Sequence, residues 1–230
     1  METARSIPVI SIDGPSGSGK GTIAATIAQK LGFVLLDSGA LYRVLGIATL
    51  KHDLDIADEQ GIADLARNLN IEFGKFGPES VSLDGEDVSL QIRTDIGSEM
   101  ASKVGAIGLA REALLERQLA FRKAPGLVAD GRDMGTVVFA DAELKIYLTA
   151  SPEERAQRRY KQLIAKGIDV NLPALLRELN ERDERDSQRS VSPLRAAKDA
   201  IVLDTTDLDI DQVVERVLDL AVKRLSVETL

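Results

Sequence analysis

Residues 14 to 22 read Gly-Pro-Ser-Gly-Ser-Gly-Lys-Gly-Thr, between a short β-branched run, Ile7 to Asp13, and a helix-forming stretch, Ile23 to Leu31. Strand, glycine loop and helix in that order restrict the chain to folds that open on a phosphate cradle. Gly14, Gly17 and Gly19 leave the backbone room to wrap a chain of phosphates with inward N–H groups. Lys20 adds a mobile cation, and the following helix offers its positive end. The whole loop, Gly14, Pro15, Ser16, Gly17, Ser18, Gly19, Lys20, Gly21 and Thr22, is therefore the expected site for a nucleoside triphosphate. An ordinary strand and turn would also explain apolar residues before a glycine, but not two glycines flanking four residues and followed by lysine. In place of the usual Ser or Thr after the lysine stands Gly21. The hydroxyl comes one position later, at Thr22, which is the expected magnesium contact.

The 230 residues, 44% of them hydrophobic, suit one α/β domain carrying small insertions better than two full domains. A formal net charge of -8 argues against a general grip on nucleic acid. Between Arg155 and Arg195, however, arginines and lysines recur densely, so a cationic cleft can sit inside an acidic protein. The absence of cysteine excludes disulfides and thiolate metal sites and fits a reducing compartment. No apolar signal segment precedes the first strand and no window resembles a membrane span, so a cytoplasmic monomer with no membrane contact is expected.

Beyond the first helix, which should end near Gly32, Phe33 to Leu36 reads as a buried strand closed by Asp37-Ser38-Gly39. Ala40 to Leu50 and Glu59 to Leu69 read as helices. Period-two patterning at Ile71 to Phe73 and Val81 to Leu83, turns at Lys75 to Glu79 and Asp84-Gly85, and a final Glu86 to Val88 predict a small antiparallel insertion, either a decorative loop or a substrate flap. Apolar spacing from Ile96 to Phe121 predicts helix with an inward stripe of Met100, Val104, Ile107, Leu109, Leu114, Leu115 and Leu119, stopped by Pro125-Gly126. Leu127 to Ala129, Leu144 to Leu148 and Ala200 to Asp204 supply further core strands, and Ile210 to Leu225 a closing helix capped by Asp209 or Asp211. Strands separated by helices imply an α/β fold, a parallel sheet covered on both faces with ligands at the strand carboxyl ends.

Three of those ends carry polar clusters: the glycine loop, Asp37-Ser38-Gly39, and Asp130-Gly131-Arg132-Asp133. Asp130 is suited to hold magnesium directly or through water, or to cap its loop. Arg132 could serve an incoming phosphate, and Asp133 could accept from an exocyclic amine of a cytosine-like base. In the arginine-rich region, Ser151-Pro152-Glu153-Glu154 starts a helix with Arg155, Arg158 and Arg159 on one face. A second helix carries Arg182, Arg185 and Arg189 with Asp183 and Asp186 interleaved. A solvated face braced by salt bridges is one account of the second helix. The other is mechanistic: transfer between two phosphorylated molecules gathers negative oxygens that guanidiniums neutralise, on a mobile segment around Lys166-Gly167 that would also exclude water. For Tyr42 packing and a site role are both open, and His52 is expected at the surface without chemistry.

Taken together, residues 14 to 22, Leu36-Asp37-Ser38-Gly39-Ala40-Leu41-Tyr42-Arg43, Ile92-Arg93-Thr94, residues 130 to 139, and Glu181-Arg182-Asp183-Glu184-Arg185-Asp186 with Arg189 and Pro193-Leu194 resemble the bacterial cytidylate kinases nearly end to end. The resemblance implies a P-loop nucleoside monophosphate kinase fold: a five-stranded parallel sheet, an inserted monophosphate-binding domain and a short helical lid. It divides the chain into core 1-38, monophosphate-binding region 39-103 with an insertion at about 71-88, core 104-153, lid 154-169, and core with closing helices 170-230. The implied reaction is transfer of the terminal phosphoryl of ATP, with magnesium, to CMP or dCMP. Carried over by motif, Gly17, Gly19, Lys20, Gly21 and Thr22 hold ATP phosphates, and Arg43 and Arg132 hold the acceptor phosphate. Ser38, Arg111, Asp133 and Arg189 face the cytosine, Ser102, Arg182 and Asp186 the sugar, and Arg155 and Arg159 are lid arginines over ATP. The chain departs from the family pattern at Ala140, where proline is frequent, and at Ala106-Ile107-Gly108-Leu109-Ala110, which lacks a proline frequent before the arginine matching Arg111. The first should alter loop stiffness, and the second could shift Arg111. Other acceptors, UMP, AMP, GMP or shikimate, would keep the ATP cradle without requiring Asp133. A regulatory P-loop hydrolase is disfavoured by the many arginines and by the lack of an Asn-Lys-x-Asp sequence.

Overall fold

A computed structural model describes residues 7–77, 80–165 and 167–225. Pro78, Glu79 and Lys166, expected in a turn and in the lid, lie outside the described residues. Among the described residues the strands are β1 (Val9–Asp13), β2 (Val34–Asp37), β3 (Ile71–Phe73), β4 (Val81–Leu83), β5 (Glu86–Asp87), β6 (Leu127–Gly131), β7 (Leu144–Thr149) and β8 (Ile201–Asp204). The helices are α1 (Lys20–Leu31), α2 (Ser38–Lys51), α3 (Glu59–Asn68), α4 (Asp95–Val104), α5 (Gly108–Leu119), α6 (Pro152–Ala165), α7 (Leu172–Ser187) and α8 (Ile210–Leu225). The chain forms two compact units, one of residues 1–36 and 120–230, the other Asp37–Leu119. No helix among the described residues is long and apolar enough to cross a membrane.

In the first unit a five-stranded parallel sheet, in the order β2-β6-β1-β7-β8, is flanked by helices, the expected α/β architecture. β1 lies centrally and every residue of it is buried, as the apolar and small run Val9 to Ile12 permits; Asp13 at its end is buried too. Ile10 and Ile12 pack with Ile23 and Ile27 of α1 and Val213 and Val217 of α8. Each of those fully buried isoleucines contributes about 2 kcal/mol of transfer out of water. The register pairs Asp13 with Gly131 on one side and with Tyr147 on the other, so the glycine loop and the polar end of β6 leave the sheet at one level. Asp209 is the cap of α8: its Oδ1 accepts from the Gln212 N–H at 2.8 Å while Gln212 Oε1 accepts from the Asp209 N–H at 3.1 Å.

The second unit packs α2 to α5 around Leu45, Ile62, Ile92, Val104 and Leu114, with a three-stranded antiparallel sheet, β3-β4-β5, joined to the same core through Val81 and Leu83. Asp84 and Gly85, at φ 52° and 84°, make the two-residue turn that the Asp-Gly pair predicts. A Cβ on Gly46 would stand 2.6 Å from Met100 Cβ, so the missing side chain is what lets α2 and α4 approach.

Several elements differ from the sequence expectation. β2 is an edge strand in which only Leu36 is buried, because the alternation of its short run leaves Leu35 at the surface. The stretch from Ile96 to Phe121 is two helices, interrupted at Gly105 to Ile107, and Leu109 and Leu119 are exposed rather than part of the stripe. α1 begins at Lys20, three residues earlier than its apolar pattern, because the left-handed Gly19 delivers the lysine straight into the first turn. β6 runs through Asp130, so that carboxylate is a strand residue. α7 ends at Ser187, which puts Arg189 beyond the helix rather than on one of its faces.

Candidate active site

The loop after β1 is shaped by contacts that exclude side chains. A Cβ at Gly14 would lie 2.1 Å from the Leu148 carbonyl oxygen, and one at Gly17 would lie 3.1 Å from Arg155 Cβ. Gly17 and Gly19 have φ of 77° and 87°, conformations that L side chains rarely adopt. Lys20 Nζ donates to the Pro15 carbonyl at 3.2 Å, bending the lysine back over the loop it belongs to. Ser18 is buried, whereas Thr22 is exposed one turn into α1. Gly21 has its own reason: a Cβ there would come 3.2 Å from Asp130 Oδ2, so the Asp130 carboxylate rests against the start of α1. Thr22 and Asp130, the two expected magnesium contacts, therefore flank one helix N-terminus.

The end of β6 holds a second polar group. Asp133 is 2% exposed and opens a π turn, Met134–Val138, that closes on its own carbonyl through the Val137 and Val138 N–H groups. Asp13, at the end of β1, accepts from the Met134 N–H through Oδ1 and from the Gly135 N–H through Oδ2, both at 2.8 Å. Burial, with the charges of Asp133 and Asp130 adding to it and the two N–H donors opposing it, pushes the Asp13 carboxyl up to about 7. Arg132 Nε donates to Asp186 Oδ2 at 3.0 Å, and Arg189 binds the other oxygen, Oδ1. Burial acts to raise the Asp186 pKa, but Arg132, Arg189 and Arg182 together outweigh it and hold this carboxyl below the usual range. The solvated-face account of α7 thus applies to Arg185, which is exposed, and not to Asp186, which is 1% exposed.

α6 meets the glycine loop directly. Ser151 caps its start by accepting from the Glu154 N–H at 3.2 Å, and this brings Arg155 round to the loop. Arg155 is buried; its Nε donates to the Ala150 carbonyl, and its Nη1 donates to the Ser16 carbonyl at 2.9 Å and to Asp183. Asp183 Oδ1 in turn accepts from the Ser16 N–H at 3.4 Å. Arg158 bonds Glu154 and both oxygens of Thr205. Arg159 and Arg182 are half-buried on the same two helices.

In the second unit Asp37 caps α2 by accepting from the Ala40 N–H at 2.8 Å, and its other oxygen holds Arg43 Nη2 at 3.0 Å. Tyr42 and Arg111 form one pair, the guanidinium carbon 5.2 Å from the ring centroid, and Arg111 Nη1 donates to the Gly105 carbonyl at 3.1 Å. The segment that departs from the family pattern, Ala106 to Ala110, thus begins directly after the carbonyl that anchors Arg111 and runs from the helix break into α5. Ser38 and Ser102 are buried on α2 and α4. At the other departure, the Ala140 carbonyl accepts from Lys145 Nζ at 2.7 Å, a bond that proline there would make equally well. His52 is exposed at the end of α2.

Sequence reasoning gave no role to Asp13, Asp37 or Tyr147 and offered Asp183 only as a salt-bridge partner, although Asp13 carried a signal as an acid closing an otherwise apolar strand. Tyr147 stands beside Asp13 in the sheet, and burial raises its pKa against the opposing charge of Arg132.

Residues 10–223 match the family model described as cytidylate kinase. A cytidylate kinase of Aeromonas salmonicida is 57% identical over 219 residues, covering 95% of each chain. One of Stutzerimonas stutzeri is 58% identical over 215 residues, covering 92% of this chain and 94% of the other. One of a Shewanella species is 56% identical over 223 residues, with 96% and 97% covered. The chain belongs to the cytidylate kinase family.

Proposed function

We propose that the protein transfers the terminal phosphoryl group of ATP to CMP or dCMP, yielding ADP and CDP or dCDP. The observation that carries the reading is the family match over residues 10–223. The buried Asp133 and the Arg132–Asp186–Arg189 network beside the glycine loop's sheet edge support it.

In this mechanism the loop N–H groups and Lys20 hold the ATP phosphates. An oxygen of the acceptor phosphate bonds to the terminal phosphorus of ATP as the bond from that phosphorus to the bridging oxygen breaks, and ADP leaves with the electron pair. The acceptor phosphate is already largely ionised near neutral pH, so no side-chain base is needed. Catalysis rests on position and field: Arg132 is oriented by Asp186, Arg43 by Asp37, and both are assigned to the acceptor phosphate. Asp133 and Arg189, with Ser38 and Arg111, read the base; Ser102, Arg182 and Asp186 meet the sugar. Tyr42 supports Arg111 by stacking. Arg155 steadies the loop at Ser16, and Arg159 meets the nucleotide from the same helix.

The donor set fits magnesium. Thr22 and Asp130 offer hard oxygen ligands at the start of α1, and no cluster of three acidic or histidine side chains suited to a metal exists among the described residues. An ion there would take its remaining ligands from phosphate and water. When bound, magnesium would offset the charge of the phosphates.

Phosphorus NMR of a mixture of magnesium-ATP, CMP and protein tests the reading. Growth of the two CDP resonances in step with ADP supports it. Release of inorganic phosphate without CDP would replace it with nucleotide hydrolysis.

A further inference from the structure

Among the described residues, Asp13 is the one buried carboxylate at this sheet edge for which the mechanism has no use. It is 4% exposed, it closes the central strand, and the next residue, Gly14, begins the ATP loop. Both of its oxygens are committed to backbone N–H groups across the sheet, those of Met134 and Gly135. Those residues directly follow Arg132 and Asp133, and the π turn they begin closes back on the Asp133 carbonyl. On the same side the turn is packed without slack: a Cβ on Gly135 would stand 2.6 Å from Ser11 Oγ and 3.3 Å from both Asp13 Oδ2 and Lys145 Cδ. The turn is therefore gripped by two residues of β1, by hydrogen bonds from Asp13 and by close packing from Ser11.

We infer that Asp13 is a positioning residue that ties the strand feeding the ATP loop to the turn carrying Arg132 and Asp133, and so sets acceptor binding. It acts through Arg132 and Asp133 and touches neither nucleotide. The inference rests on the CMP kinase reading for its kinetic consequence but not for the clamp itself. A residue serving only the fold would lower the amount or stability of active protein and leave both Michaelis constants alone. A clamp on the acceptor turn instead raises one of them.

The test compares wild type, Asp13→Asn and a second perturbation of the same turn, Gly135→Ala, alone and combined with Ser11→Ala. Asp13→Asn keeps one acceptor oxygen and sets an NH2 group against the second N–H. The expected result is a KM for CMP raised about tenfold, the loss of one hydrogen bond to a charged group, with KM for ATP unchanged. Amide exchange at Met134 and Gly135 should quicken while that of β1 and α1 stays at the wild-type rate. Gly135→Ala should raise the same KM, and Ser11→Ala should lessen that rise by removing the closest of the three contacts. Unchanged KM for CMP in Asp13→Asn, or equal rises for CMP and ATP, would overturn the inference. If the wild type does not phosphorylate CMP, the parent reading fails instead. The exchange measurement then decides the clamp alone: unaltered protection at Met134 and Gly135 would overturn it.

Discussion

Asp13 and Asp186 are both buried carboxylates, and their surroundings drive them in opposite directions. Asp13 is taken out of water beside two other acids, and its pKa rises from 3.8 to about 7. Between those values the folded chain holds a proton that the unfolded chain has released, so this group makes stability fall as pH rises through that window. Asp13→Asn removes the slope. Denaturant unfolding from pH 4 to pH 8 should show the variant gaining on wild type up to about pH 7 and running parallel above it; a constant gap would contradict the buried-acid account. Asp186 has the reverse sign. Its arginines keep it ionised, so its contribution is present above the ordinary carboxylate range and is lost as pH falls below that range. Asp186→Ala leaves Arg132 and Arg189 without their shared carboxylate and should cost about 3 kcal/mol of stability. It should also raise the KM for CMP, which steady-state kinetics at varied CMP would check. Lys20 is a different case, its ammonium donating to the Pro15 carbonyl of its own loop. Lys20→Ala is expected to cut turnover by about 10²- to 10³-fold with an unchanged circular dichroism spectrum.

At the scale of elements, the signals that proved legible were local ones. The glycine loop between β1 and α1 stood out because its glycine spacing and Lys20 form a local motif, with Gly14, Gly17 and Gly19 all at positive φ. The Asp-Gly turn between β4 and β5 was equally plain, since its positive φ angles favour those residue types. The break between α4 and α5 was not, because one apolar stripe can continue across a helix interruption when both halves pack on the same core. Nor was the edge position of β2, which depends on strand order rather than on its own four residues. Gly46 belongs to the same hidden class, as its reason lies more than fifty positions away at Met100. Gly46→Ala overpacks that contact and should lower stability by about 1–3 kcal/mol. A thermal midpoint equal to wild type would show that α2 and α4 do not need the glycine.

For the whole molecule, the net charge of -8 and the crowded arginines describe different places rather than a contradiction. Arg132, Arg155, Arg158 and Arg189 are each engaged with acids or carbonyls in the unit built on the parallel sheet, so much of the positive charge is already directed. Residue types and motif spacing made the glycine loop, Asp130 and the arginines legible as candidates. What they could not disclose was pairing: that Asp186 serves two arginines, that Asp183 bridges Arg155 and the Ser16 N–H, or that Asp13 binds a turn 121 positions on. Those links are properties of register and packing, and they hold in place the groups assigned to phosphoryl transfer. The most direct test of that assignment is the initial rate of ADP formation from magnesium-ATP with CMP, dCMP, UMP, AMP, GMP, shikimate or no acceptor, measured in parallel. The account predicts a rate that depends strongly on CMP or dCMP and is close to background with the others and with none. A rate independent of acceptor, or led by another compound, would contradict it.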